Sequence, residues 1–154
     1  MKQKEDNHVQ VAKPITIDMT MIRKSLINSS LEFFKRHEHE DLPQKIFEIG
    51  DTIYLDKNEE TKVKTIKKLA GAICHSSANF TEIKSTVASI LANLGYDMEI
   101  SSLENPSFIE GRVANIKGKS QNGNVKGFFG EISPEVISNF ELEYPVIAFE
   151  IEFL

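Results

Sequence analysis

The chain has a single cysteine, Cys74, in 154 residues. A lone thiol excludes an internal disulfide and a cysteine-built zinc site, and it fits a reducing compartment. Long hydrophobic runs are also missing: nothing approaches the roughly eighteen apolar residues of a membrane span. Residues 1–7 (MKQKEDN) are polar with mixed charge, so they supply neither a signal-peptide core nor an anchor. Cations are not in excess. A formal net charge of −5 argues against general nucleic-acid affinity, which needs clustered cations that outnumber nearby acids. No glycine-rich phosphate loop stands at a strand-to-helix junction, so Gly127 and Gly130 read as backbone punctuation. There is no HExxH motif, no internal repeat and no low-complexity linker. These absences leave a soluble, cytoplasmic protein of one domain with no membrane partner.

What is present suits that class. With 40% hydrophobic residues, a chain of this length buries about two-thirds of its unfolded surface. Residues 1–8 read as a flexible leader, and Val9, Val11 and Ile15 can begin a strand that Pro14 keeps at a sheet edge. Apolar residues at Met19, Ile22, Leu26, Ile27, Leu31, Phe33 and Phe34 predict a helix over residues 18–37, capped by Asp18 or Thr16. Its apolar face is wide enough to meet a partner. After Pro43 come a strand at 46–49, a Gly50-Asp51 turn and a return strand at 52–55. A charged loop (56–64) precedes a buried strand at 66–74, where Gly71 implies close packing. Ile83, Val87, Ile90, Leu91 and Leu94 predict a second helix at 81–94, stopped by Gly95. Strands follow at 96–101 and 109–116. A polar turn at 117–124 then closes a hairpin into a strand at 125–132. Ser133 as cap, Pro134 at the first helical position and Glu135 at the positive dipole end predict a short helix. In the last strand, 145–153, Ile147, Phe149, Ile151 and Phe153 share one face and Ala148, Glu150 and Glu152 the other, the pattern of a half-buried strand. The sum is an α+β domain over 9–154: a mainly antiparallel sheet flanked by helices.

Several residues invite chemical readings. His37 and His39, with Glu38 and Glu40, lack any common metal-ligand spacing and sit at a polar helix exit. Cys74 and His75 are adjacent on a strand, so they point to opposite faces and make a poor nucleophile–base pair. Glu150 and Glu152 lie close enough to act as paired carboxylates, but a solvated or interface-facing row is the simpler reading. Lys62, Lys64, Lys67 and Lys68 form a basic cluster that either faces a nucleic acid or protects a sheet edge. Arg112 after Gly111 calls for a structural partner, because a guanidinium in a strand is costly to bury unpaired.

The string running from Gly130 to Leu142 (GEISPEVISNFEL), followed by Pro145-Val146 and a strand of acidic and apolar residues, resembles the end of the phenylalanyl-tRNA synthetase β subunit of archaeal and eukaryotic type. Lys45-Ile46-Phe47-Glu48-Ile49-Gly50-Asp51 and Glu110-Gly111-Arg112-Val113-Ala114 agree with it in order and spacing. The likeness covers roughly residues 10–154, the catalytic-like module of a longer subunit. It implies a class II aminoacyl-tRNA synthetase-like fold without the catalytic motifs. Such a site needs arginines to clamp ATP phosphates, and this chain has only Arg23, Arg36 and Arg112. The first two belong to the first helix.

The resemblance therefore implies a non-catalytic module that packs against the catalytic α subunit of a heterotetrameric ligase. It holds no catalytic, cofactor or metal residues; ATP and Mg²⁺ belong to the full complex. A second β subunit is a further partner, and tRNA is met only in the full assembly. The longer subunit's other modules are absent, so an excised domain or a stand-alone relative is expected. The competing readings are a small enzyme using Glu150, Glu152 or His75 in a cleft, and a tRNA-contacting module. The groove equivalent to an ATP site is expected to be filled by Ile73, Ala114, Phe128, Phe129, Ala148 and Phe149.

Overall fold

A computed structural model describes residues 22–121 and 123–154; the expected leader and the strand at 9–15 lie outside the described residues. Along the chain come α1 (Ile27–Arg36), β1 (Gln44–Leu55), β2 (Val63–Cys74), α2 (Phe80–Asn93), β3 (Asp97–Ser102), β4 (Phe108–Ser120), β5 (Gly123–Ile132), α3 (Pro134–Asn139) and β6 (Val146–Phe153). The strands form one sheet in the order β1-β2-β6-β5-β4-β3, with every neighbouring pair antiparallel. This is the expected α+β class.

Helices cover both faces. On one, Leu26, Ile27, Leu31 and Phe34 of the α1 region and Val136 of α3 pack on Ala70, Ala72, Val113 and Ala148. On the other, Ile83, Val87 and Leu91 of α2 pack on Ile73, Ile116, Phe129, Ile147, Phe149 and Ile151. The two cores are separate because successive strand residues face opposite ways. They are called the α1 face and the α2 face below.

The local signals at α2 and α3 form as the sequence suggests. Ser133 Oγ accepts the Val136 amide at 3.4 Å, and Gly95 takes φ +78° past the end of α2; the cap of α2, which the sequence reading did not name, is Asn79, whose Oδ1 accepts the Glu82 amide at 3.1 Å.

Four expectations change. β6 is not half-buried: it sits mid-sheet between two helix-covered faces, and all residues from Val146 to Ile151 are buried. The first helix is shorter than 18–37, because residues 22–26 are not helical and α1 begins at Ile27. No turn occurs at Gly50-Asp51, where β1 runs unbroken against β2 with Gly50 opposite Lys68 and Asp51 opposite Lys67. Gly50 lacks a side chain for another reason: a Cβ there would lie 2.6 Å from Arg23 Nη2 and 3.3 Å from Leu26 Cδ2, where the segment before α1 crosses the strand. Finally, the turn expected over 117–124 is shorter, since Lys117, Lys119 and Ser120 remain paired with Lys126, Asn124 and Gly123.

Gly71 stands opposite Phe149, and a Cβ there would fall against the Phe149 ring. Gly71→Ala is therefore expected to destabilise the fold by about 1–3 kcal/mol through overpacking. Denaturant unfolding checks this, and Phe149→Leu in the same chain should recover part of the loss.

Candidate functional site

On the α1 face, beyond the start of α1, an open groove of about 320 Å³ lies over β2, β6, β5 and β4; Lys68, Glu150, Glu152, Lys126, Phe128, Lys117 and Asn115 line it. Its floor is a charged row running across the sheet. Glu99 faces Lys117, Lys117 faces Lys126, Lys126 faces Glu152, and Glu152 faces Lys68. The residues expected to fill such a groove do not. Ile73, Ala114, Phe129 and Phe149 belong to the α2-face core, while Phe128 and Ala148 pack on the α1 face. Strand parity divides the six between two surfaces. The groove is polar, and its cations are lysines rather than arginines.

Two of those lysines, Lys68 and Lys126, have ion-pair partners. Lys68 and Glu150 are almost fully enclosed and bonded at 2.7 Å. Lys68 Nζ also donates to the Tyr54 hydroxyl at 2.7 Å and to the Lys24 carbonyl at 2.9 Å, so all three ammonium donors are used. Burial opposes the charge on Lys68. The Glu150 carboxylate and the Tyr54 hydroxyl outweigh it, and the pKa rises above the ordinary 10.5. The second Glu150 oxygen accepts the Ser25 hydroxyl at 2.8 Å and the Leu26 amide at 2.7 Å. Helix α1 has no acidic residue in its first turn, and Leu26, at its cap position, makes no side-chain capping bond. Glu150, from a strand 124 residues away, supplies the negative charge that the helix N-terminus favours. That charge sits where the described helix begins, at Ile27. Glu152 is held separately by Lys126 at 3.2 Å. The two carboxylates thus form neither an acid–base pair nor a solvated row.

The α2 face repeats the device. Glu131 is buried; one oxygen accepts the Phe80 amide at the start of α2 at 2.7 Å, and the other meets Arg112 Nη1 at 2.8 Å. Arg112 therefore has the structural partner expected of it. Its side chain is 59% exposed all the same, because it reaches Glu131 from the rim.

The remaining candidates separate. Lys62, Lys64, Lys67 and Lys68 do not form one surface: Lys68 is buried, Lys67 faces Asp51 at 3.5 Å on the opposite side of β2, and Lys64 and Lys62 are exposed near the hairpin loop. Nor do they guard an edge, since β2 lies inside the sheet. Cys74 is buried beneath α1, where loss of solvent pushes its thiol pKa up from 9.0. His75 instead donates from Nε2 to Glu82 at 2.7 Å, while its Nδ1 accepts the Ser77 amide at 3.3 Å. His37 stacks on Phe33, with ring centroids 4.0 Å apart, and His39 is exposed beside Glu38. Among the described residues no group of three or more His, Cys, Asp or Glu is placed to hold a metal. No described helix is long and apolar enough to cross a membrane.

Residues 1–153 match the family model described as the phenylalanyl tRNA synthetase beta chain CLM domain. The chain belongs to that family. It is 58% identical over 156 residues to the phenylalanine–tRNA ligase beta subunit of Methanosphaera stadtmanae, with 99% of this chain and 28% of that protein covered. It is 46% identical over 152 residues to the same-named subunit of Methanocaldococcus jannaschii, covering 99% and 27%. A Methanococcus maripaludis subunit is 46% identical over 154 residues, covering 98% and 27%. The chain thus spans about a quarter of the length of the curated relatives it matches. The family assignment agrees with the resemblance carried by residues 130–142, which here are the end of β5, helix α3 and the turn after it. Sequence reasoning missed the Glu150–Lys68 and Glu131–Arg112 pairs. The only signal available was the presence of each charge within an otherwise apolar strand.

Lys68→Met is expected to destabilise the fold by about 3–5 kcal/mol, because it strands a buried carboxylate. Adding Glu150→Gln, which still accepts from Leu26 and Ser25, should restore much of this in chemical denaturation. Since the folded-state pKa of Lys68 is raised, its contribution is complete below about 10.5 and is lost as pH climbs through the raised value. The gap between wild type and Lys68→Met should stay constant from neutral pH and narrow only in strong alkali. On the other face, Glu131→Ala should cost about 1–3 kcal/mol by orphaning the Phe80 amide. Arg112→Ala should cost less, about 1 kcal/mol or below, because its guanidinium is solvated; thermal unfolding of the two variants ranks them.

Proposed function

We propose that this chain is a non-catalytic, class II aminoacyl-tRNA synthetase-like domain of a cytoplasmic phenylalanine–tRNA ligase β subunit. It packs against the catalytic α subunit and supports aminoacylation of phenylalanine tRNA. The observation that carries the non-catalytic reading is the groove floor. A triphosphate needs preorganised, unneutralised cations, and here Glu150 and Glu152 stand in the floor, with Lys68 and Lys126 already spent on them. The three arginines lie elsewhere: Arg23 pairs with Glu48, Arg36 with Glu32 and Arg112 with Glu131. Catalysis, ATP and Mg²⁺ belong to the α subunit in this reading, and tRNA is engaged only by the full assembly, in which a second β subunit is a further partner. The family supports it, since the relatives are beta subunits by name and a beta subunit implies an alpha subunit.

The purified chain is expected to bind no ATP–Mg²⁺ at millimolar concentration in calorimetry, to give no pyrophosphate exchange, and to be retained by the matching α subunit. Nucleotide binding or adenylate formation would refute the non-catalytic assignment. Failure to associate with the α subunit would refute the packing role.

A further inference from the structure

The turn that joins β2 to α2 gathers a hydroxyl, an imidazole and a carboxylate. It is pinned by the Ala78 amide, which donates to the His75 carbonyl at 3.2 Å, and by Asn79 Nδ2, which donates to the Ser77 carbonyl at 3.0 Å. These bonds bring Ser77 back to the imidazole. Glu82, in the first turn of α2, stands 2.7 Å from His75 Nε2. A carboxylate accepts, so Nε2 carries the ring proton and Nδ1 keeps its lone pair. Ser77 Oγ lies 3.2 Å from Nδ1 and must be the donor there. The Ser77 amide already reaches the same nitrogen at 3.3 Å, so the turn holds its shape without the hydroxyl. What the hydroxyl gains is a base within reach of its proton, the base being held in turn by a third group. Ser77 is exposed, whereas the side chains of His75 and Glu82 are only 18% and 27% exposed. A cavity of about 340 Å³ opens on His75, Ser76 and Glu82, with Leu42, Pro43 and Lys45 as its other wall. It shares no residue with the groove over the sheet. Leu42 and Pro43 offer apolar surface to a short acyl chain, and Lys45 Nζ, 3.5 Å from Glu82, offers a cation to a carbonyl oxygen that gains charge.

We propose that Ser77 is a nucleophile toward short-chain carboxylic esters, with His75 as its general base and Glu82 as the residue that positions the imidazole. Ser77 Oγ bonds to the ester carbonyl carbon as its proton passes to His75 Nδ1. The carbon–oxygen bond to the alcohol then breaks, the alcohol leaves with that proton, and an acyl ester of Ser77 remains. Water attacks the acyl carbon while giving a proton to the same nitrogen. That proton returns to Ser77 Oγ as the carboxylic acid departs. The balance needs only ester and water, so this chemistry is separate from adenylate formation.

Reaction of the purified chain with p-nitrophenyl acetate tests this, with nitrophenol release followed by absorbance and the acetyl group located by peptide mass mapping. A burst is expected, with the acetyl group on Ser77. Ser77→Ala should remove both burst and label; the residue is exposed, so circular dichroism should show that variant folded. His75→Gln should slow acylation about a hundredfold. Glu82→Gln should slow it roughly tenfold or more with KM unchanged, and Glu82→Asp should recover part of the rate, a pattern that a carboxylate serving only the turn would not give. Acetylation confined to lysines, or release rates that Ser77→Ala and His75→Gln leave unchanged, would overturn the proposal.

Discussion

Two carboxylates on the central strands hold the two helix layers to the sheet. Glu150 and Glu131 each rise from a buried strand position, take the amide at the start of a helix, and carry a cation on the second oxygen or beside it. An isolated carboxylate in such a place would be expensive. The cost is offset because the helix terminus and the cation share the charge, and because every lone pair directed inward finds a donor. Hydrophobic contact fixes which face of each helix is buried. The carboxylates fix where along the sheet each helix begins.

This arrangement also bears on what the groove can do. Two of the groove's cations, Lys68 and Lys126, are part of the scaffold, and Lys68 has no donor left over. A side chain cannot serve both as a saturated buried anchor and as an open anion clamp. The same economy appears at the rim, where Lys126 and Glu152 neutralise each other. A cleft can thus persist over the sheet while polar residues within it answer to stability.

Much of the architecture was legible beforehand where signals were local. The stop at Gly95, the Ser133-Pro134-Glu135 start and the spacing of Ile83, Val87 and Leu91 are contained within one or two turns of chain, and they form as read. Gly50-Asp51 misled because a glycine before an acidic residue is the ordinary signature of a tight turn. Its meaning here is space for Arg23 and Leu26, which approach from a distant segment. Strand β6 misled for a similar reason: alternation of apolar and acidic residues reads as one wet face until a buried lysine from β2 arrives to meet Glu150.

The sequence by itself determined the α+β class, the order of strands and helices from β2 onward, the poverty of arginine and the family signature at residues 130–142, since each depends on residue type and short spacing. Tertiary structure alone decided that β1 is the edge and β6 the centre, that α1 starts at Ile27, and which lysine pairs with which glutamate. Those outcomes rest on contacts between residues as far as 125 positions apart. Burial and charge compensation at such range are set by strand order and register, which no local pattern encodes.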